Sequence, residues 1–418
     1  MRAIIATALI GALLSSACGG GGGGSSLGAQ PSPPAGGAAN VQAITVDAGP
    51  SGPTGSIDVN TVFTTVTICM PGSTTSCQTI DHIQVDTGSS GLRILGSVLT
   101  LSLPLQKDAG GNPIVECTQF VDGFSWGPLR AADLKISGES AAGLAVQVIG
   151  DQAYPESTVP AACSSAGRSE DTVTEFGANG ILGVGPFISD CGSGCTIVPN
   201  PIYYSCTSSS TCQNTSVAVA QQVSNPASFF ATDNNGVIIE LPSVGATGST
   251  GLSGSLVFGI GTQGNNGLAS AQVFTVSSAD GSLFTAFNGR NLPESFIDSG
   301  SNAFFFTDSS IASCPSINNM KALPFYCPAS TANLSATITG QNSVAAPVSF
   351  SIANANTLFS QSVIITAASD LGGPGISSGS FDATQSFDWG LPFYFGRNVF
   401  TAFENSNTSG GPGPYFAF

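Results

Sequence analysis

The chain is predicted to be all-β, with one short acidic motif carried in each half. β-Branched and aromatic runs punctuated by Gly, Asn and Pro recur along its 418 residues, while long helical periodicity is scarce. In the first half an apolar, strand-like run ends in Asp86-Thr87-Gly88-Ser89, and 212 residues later a second ends in Asp298-Ser299-Gly300-Ser301. With 41% hydrophobic residues the chain can bury a sizeable core, as one large domain or as two lobes.

Taken in order, Arg2 is a short positive region, Ala3 to Leu14 an apolar core and Ser15-Ser16-Ala17 a small-residue cleavage site. Residues 1–17 therefore read as an export signal, too short to span a membrane. The segment resembles a bacterial lipoprotein signal. That resemblance implies lipid attachment at Cys18 and, with Gly19 next to it, an outer-membrane location. Ser15 stands where such signals more often carry a branched aliphatic residue, which leaves ordinary cleavage open. Setting Cys18 aside leaves ten of the 11 cysteines, an even number suited to disulfides in an oxidising compartment. Residues 18–50 read as a flexible tether, with a glycine run at Gly19 to Gly24 and a Ser, Pro, Ala and Gly-rich stretch to about Asn40. No Lys or Arg lies between Arg2 and Arg93, so no basic prosegment is expected. Residues 51–245 are assigned to an N-terminal lobe and 246–418 to a C-terminal lobe.

From about residue 57 the pattern is that of strands. Val62, Thr64, Val66 and Ile68 share one face, Pro71-Gly72-Ser73 turns the chain, and Thr79 to Val85 returns as a hairpin feeding Asp86. Proximity pairs Cys69 with Cys77, Cys191 with Cys195, Cys206 with Cys212 and Cys314 with Cys327, leaving Cys117 and Cys163.

The residues after the first acid loop carry a specific likeness. Phe176-Gly177-Ala178-Asn179-Gly180-Ile181-Leu182-Gly183 resembles the segment of pepsin-like aspartic peptidases in which two apolar residues and a glycine cross behind the first Asp-Thr-Gly turn. Tyr394-Phe395-Gly396 is similar to its counterpart in the second half, and Gly254 to Gly259 is similar to the start of that family's second lobe. The resemblance covers roughly Ser56 to Phe403. It implies two β-barrel-like lobes, Asp86 and Asp298 as catalytic acids, and a peptide or unfolded protein as substrate, with no cofactor and no metal.

The residue types suit that chemistry on physical grounds. Two carboxyls in contact cannot both ionise readily, so one stays protonated while the other is a base, and together they activate water against an amide. Gly88 and Gly300 let backbone or ligand approach closely beside the acids. In the resembled family the hydroxyls at the positions of Thr87 and Ser299 lock the two loops together, and those at the positions of Ser89 and Ser301 bond the outer carboxylate oxygens. A single Asp-Thr/Ser-Gly is also an ordinary turn sequence in a chain with 53 Gly, so the weight lies on two copies, each with its own apolar partner segment.

Composition excludes other classes. With 9 Lys and Arg against 25 Asp and Glu, the formal net charge of -16 argues against nucleic acid and against electrostatic attachment to anionic lipid, so the membrane is expected only through the lipid anchor. The protein is expected to be a monomer. His82 is the one histidine, read as a strand residue without catalytic duty, and zinc sites built on His are excluded. Gly375-Ile376-Ser377-Ser378-Gly379 fits a nucleophile-elbow pattern, but no histidine follows it, so it reads as a loop. The Gly180 to Gly185 run lacks the Lys-Ser/Thr of a phosphate loop, and Asp388-Trp389-Gly390 reads as a turn.

Departures from the resembled pattern keep a second reading open. The family's flap is a hairpin with a Tyr near its tip, whereas Phe120 to Trp126 has none, so Phe124 and Trp126 are the candidates for that place. Arg93 replaces a usual Trp and is expected to lower the pKa values of the acid pair. An intact pair of acids with flanking hydroxyls favours an aspartic endopeptidase. The altered flap and Arg93 favour an inactive protein of that fold, binding peptide, glycan or another enzyme at the cell envelope.

Overall fold

The computed structural model describes residues 38–418 apart from 52–57, 122, 201, 210, 316–324, 362, 376 and 378–381. The export signal, Cys18 and most of the tether lie outside the described residues, as does part of the Gly375 to Gly379 loop.

The first half forms β1 (Val41–Val46), β2 (Val62–Cys69), β3 (Cys77–Asp86), β4 (Ser90–Leu95), β5 (Ile114–Gln119), β6 (Gly123–Ile136) and β7 (Glu139–Ile149). It continues with β8 (Arg168–Ser169), β9 (Gly180–Val184), β10 (Tyr203–Ser208) and β11 (Thr211–Asn214). Next come β12 (Gly236–Leu241), β13 (Leu252–Phe258), β14 (Val273–Thr275), β15 (Leu283–Phe287), β16 (Arg290–Ile297) and β17 (Phe304–Phe306). The second half ends with β18 (Ala332–Thr339), β19 (Ala345–Ile352), β20 (Gly372–Gly373), β21 (Phe387–Trp389), β22 (Arg397–Ala402), β23 (Asn407–Thr408), β24 (Gly411–Pro412) and β25 (Tyr415–Ala417). A 16-stranded sheet follows the order β11-β10-β5-β6-β7-β4-β9-β3-β2-β1-β13-β12-β22-β25-β14, with β8 paired to β6 off this path, and a 7-stranded sheet the order β19-β18-β15-β16-β21-β17-β20. The large sheet is thus begun by the first lobe and finished by the last strands of the chain, which ties the lobes together.

Local sequence explains the elements that position the site. In β2 the residues Val62, Thr64, Val66 and Ile68 are buried, while Thr65 and Thr67 between them are half-buried, the period of two expected of a strand. β2 and β3 pair antiparallel around the Pro71-Gly72 turn, where Gly72 takes a φ of +73°, and the Cys69–Cys77 disulfide closes the hairpin. All four disulfides expected from proximity form, and the fifth joins Cys117 to Cys163.

Two assignments need correction. Residues 41–46 are not tether: β1 pairs with β13 from Val41 to Val46, and Ile44 and Val46 are buried. Composition hid a short alternating strand behind a Gly/Pro-rich stretch. Asp388-Trp389-Gly390 is not a turn either, because Asp388 and Trp389 belong to β21, which pairs in parallel with β16 and antiparallel with β17.

One apolar cluster runs through both lobes, from Ile44 in β1 to Phe416 in β25. Beneath Asp298 it becomes aromatic: Phe287, Phe304, Phe306, Phe350, Phe387 and Trp389 pack edge-on and stacked, with the Phe387 and Trp389 rings 4.1 Å apart. Trp389 satisfies its indole by donating to Thr285 Oγ1 at 3.0 Å. Each such ring contributes about 1.5–3 kcal/mol by burial, enough to hold a loop in place against its own entropy.

Candidate active site

Each acid is carried by a strand with buried apolar neighbours. Asp86 ends β3 after buried Ile83 and Val85, and Asp298 follows β16 after buried Ile297. The loops then bond to each other in a crossed, nearly symmetric pattern. The Thr87 backbone N–H donates to Ser299 Oγ at 3.1 Å, and the Ser299 N–H donates to Thr87 Oγ1 at 3.0 Å. Ser299 Oγ donates onward to the Val85 carbonyl at 2.9 Å. Within each loop the glycine N–H donates to its own acid's Oδ1, at 2.7 Å from Gly88 to Asp86 and 2.7 Å from Gly300 to Asp298. Ser89 Oγ donates to Asp86 Oδ2 at 2.5 Å, and Ser301 Oγ to Asp298 Oδ2 at 2.9 Å.

The two carboxyls meet across the glycines. A Cβ placed on Gly88 would lie 2.7 Å from Asp298 Cγ, and one on Gly300 would lie 2.7 Å from Asp86 Cγ. The missing side chains are needed for close approach. Asp86 is 5% and Asp298 8% exposed. Burial, and then the neighbouring Asp298 carboxylate, push Asp86 up to about 7 against the bonds from Ser89 and Gly88 that favour its charged form. The proton belongs to the pair. Both acids open into a cleft of about 710 Å³, flanked by Phe120, Val121, Phe187 and Phe296.

The segment backing the first loop lies where the sequence placed it. Ile181, Leu182 and Gly183 sit in β9, with Leu182 opposite Val85 and Gly183 opposite Asp86 in parallel, while β9 also pairs antiparallel with β4. The second half repeats this arrangement with a different segment from the one expected. Asp388 and Trp389 of β21 run parallel to Phe296 and Ile297, the Asp298 N–H donates to the Trp389 carbonyl at 3.1 Å, and Gly390 follows. Trp389 therefore corresponds to Leu182 and Gly390 to Gly183. A Cβ on Gly390 would sit 2.6 Å from the Ser301 carbonyl oxygen.

Tyr394, Phe395 and Gly396 lie beyond this strand, on the way into β22. Gly396 turns the chain at a φ of +76°. Tyr394 still reaches the site, its hydroxyl 2.7 Å from Thr87 Oγ1, where it buttresses the crossed loops from below. The misassignment has a physical origin. The triplet has the apolar-apolar-Gly form and nearly the right separation from Asp298, whereas Asp388 breaks that form with a charge. Asp388 is only 2% exposed, and burial followed by the charge of Asp298 pushes its carboxyl well above the ordinary range. It is a third buried acid beside the pair that sequence reasoning missed.

The flap candidates are corrected as well. Phe124 and Trp126 are each 2% exposed and pack into a cluster with Val115, Cys117 and Tyr204, Trp126 lying edge-on to Tyr204. They hold the hairpin of β5 and β6 together, and it is Phe120 and Val121 at its tip that line the cleft. Arg93 does not act on the acid pair as expected. Its Nη2 donates to Glu116 Oε1 at 2.6 Å and to Asp190 Oδ2 at 3.4 Å, Nη1 to the Ser90 carbonyl at 2.8 Å, and Nε to Thr118 Oγ1 at 2.8 Å. His82 is likewise engaged away from the site, 3.4 Å from Asp47 and 3.4 Å from Asp81.

Five disulfides suit an exported or extracellular protein. Among the described residues no helix is long and apolar enough to cross a membrane. No curated protein matches the sequence. Among solved structures the chain is similar to the aspartic proteinase from Irpex lacteus, at 13% sequence identity and a TM-score of 0.47, over 91% of this chain and 96% of that one. A family described as "Protein of unknown function (DUF3443)" matches residues 36–418, so the chain belongs to that family.

Proposed function

We propose that this chain is an aspartic endopeptidase of pepsin-like architecture, exported and held at the outer membrane by lipid on Cys18, acting as a monomer on peptide or unfolded protein. The observation that carries the reading is the crossed pair of loops, in which Thr87 and Ser299 exchange bonds and Asp86 and Asp298 face each other over two glycines. Asp86 and Asp298 bind one water between them: one acid takes its proton as it attacks, while the other protonates the scissile carbonyl. Ser89 and Ser301 fix the outer oxygens and so keep the carboxyls aligned. Substrate lies extended in the cleft, where backbone hydrogen bonds give affinity and side-chain pockets give selectivity. All ten cysteines after Cys18 pair among themselves, which supports export and leaves Cys18 for lipid.

A second reading, a binding protein without catalysis, is favoured by the flap, since Phe124 and Trp126 are buried away from the cleft. The test is incubation of the full chain with an unfolded protein mixture from pH 3 to 7, with and without a statine-type transition-state mimic. Cleavage blocked by the mimic, and reduced at least about 1,000-fold by Asp86→Asn or Asp298→Asn, is the expected result. Folded protein that neither cleaves nor binds the mimic overturns the peptidase reading.

A further inference from the structure

Ser301 stands between two acids. Its hydroxyl donates to Asp298 Oδ2 at 2.9 Å, and the same hydroxyl is hydrogen-bonded to the carboxyl of Asp388. A hydroxyl has one proton to give, so it cannot donate to both. Asp388 is 2% and Ser301 1% exposed, and Asp388 Oδ1 has no hydrogen-bond partner among the described residues. Nor does any Lys, Arg or His among the described residues pair with Asp388. The titratable groups around it are Asp298 from the loop after β16, Asp86 from the end of β3 and the Tyr394 hydroxyl, none of which supplies positive charge. A carboxylate there would be buried beside other acids with one oxygen unpartnered. A carboxylic acid leaves only a neutral carbonyl oxygen unpartnered and has an O–H to donate.

The first half has no such group. Ile181 lies opposite Gln84 as Asp388 lies opposite Phe296, and Ser89 is half-buried where Ser301 is enclosed. Loops that repeat each other in their glycine and serine bonds to the acids therefore differ in what stands behind the serine. Taking the peptidase reading proposed above, we infer that Asp388 is a positioning residue for the acid pair: as a carboxylic acid it donates to Ser301 Oγ, Ser301 donates to Asp298 Oδ2, and this relay keeps Asp298 the carboxylate and leaves the shared proton on Asp86. A hydroxyl that accepts a hydrogen bond donates its own more strongly. Asp298 is then the base and Asp86 the acid. As the water oxygen bonds the scissile carbonyl carbon, one water proton passes to Asp298 and the Asp86 proton passes to the carbonyl oxygen, so the pair exchanges its protonated member at constant charge.

The test uses the full-length protein carrying carbon-13 at aspartate Cγ, with carboxyl resonances read by NMR near pH 5.5, below the value of about 7 for Asp86. Asp→Asn substitutions at 86, 298 and 388 assign the three signals by their loss. Asp388 and Asp86 are expected to read as carboxylic acids and Asp298 as a carboxylate. Asp388→Leu, similar in size but without a donor, is expected to bring the Asp86 and Asp298 shifts toward each other and to lower kcat about 10-fold with KM changed less than about 2-fold. Asp388→Asn keeps an N–H to donate and is expected to preserve the parent order of shifts and to restore most of that kcat. Should Asp388→Leu not unfold cooperatively by calorimetry, the parent spectrum still decides. The expected shifts without cleavage of any peptide support the inference while overturning the peptidase reading. A carboxylate signal from Asp388, the proton on Asp298 in the parent, or Asp388→Leu shifts unchanged from the parent overturns the inference.

Discussion

Asp388 shows how much a single residue can conceal. It occupies the register position that Ile181 fills in the other half, and an apolar side chain there would have announced the second backing strand. Instead a carboxyl is buried close to Asp298, with one oxygen unpartnered. Its raised pKa means that it favours the fold below the ordinary carboxylate value near 3.9 and loses that contribution as pH rises through its folded value. Asp388→Asn is therefore expected to match the parent's thermal stability at pH 4 and to exceed it by a few degrees at pH 8. Equal midpoints at both pH values would contradict this. At Gly300 the argument is steric. A methyl group there would strike the Asp86 carboxyl, so Gly300→Ala is expected to lower kcat at least about 100-fold with a much smaller change in KM and a fold still cooperative by calorimetry.

At the level of elements, legibility followed burial pattern. The β2–β3 hairpin was readable because one face is apolar with period two and cysteines mark its turn. β9 was readable because it is buried on both faces and so reads as a continuous apolar run. β21 was not, because three residues with a charge among them give no periodicity, and pairing with two neighbours defines the strand. β1 was overlooked for a related reason. Its full-length pairing partner, β13, lies more than two hundred residues away. A chain begun at residue 51 removes β1 and exposes the β2 and β13 edges, and is expected to lose at least about 3 kcal/mol of stability relative to one begun at residue 38. Denaturant unfolding of the two forms checks this; equal midpoints would show β1 to be dispensable.

Over the whole molecule, two lobes converge on one proton. Burial and the like charge of Asp298 raise Asp86 to about 7, so below that value the pair keeps its shared proton and above it the proton leaves. The kcat/KM profile is accordingly expected to fall with a one-proton slope above about pH 7, a limb readable in a simple peptide assay, and a plateau through pH 9 would contradict it. The outer surface answers to different physics: only 8% of residues are charged, so most of it is neutral and polar and keeps its character as the medium acidifies.

Taken alone, the sequence determined the strand-rich class, four local disulfides, and the two acid loops with their glycines and hydroxyls, because each is written in contiguous residues with a strong local signal. Tertiary structure decided what depends on distant partners. It settled which segment backs the second loop, that Arg93 turns to Glu116 and Asp190 and leaves the acid pair alone, that Phe120 and Val121 rather than Phe124 and Trp126 face the cleft, and that Tyr394 meets Thr87. A side chain's neighbours across 200 or more residues are set by how two sheets pack, and local propensity carries no record of that packing.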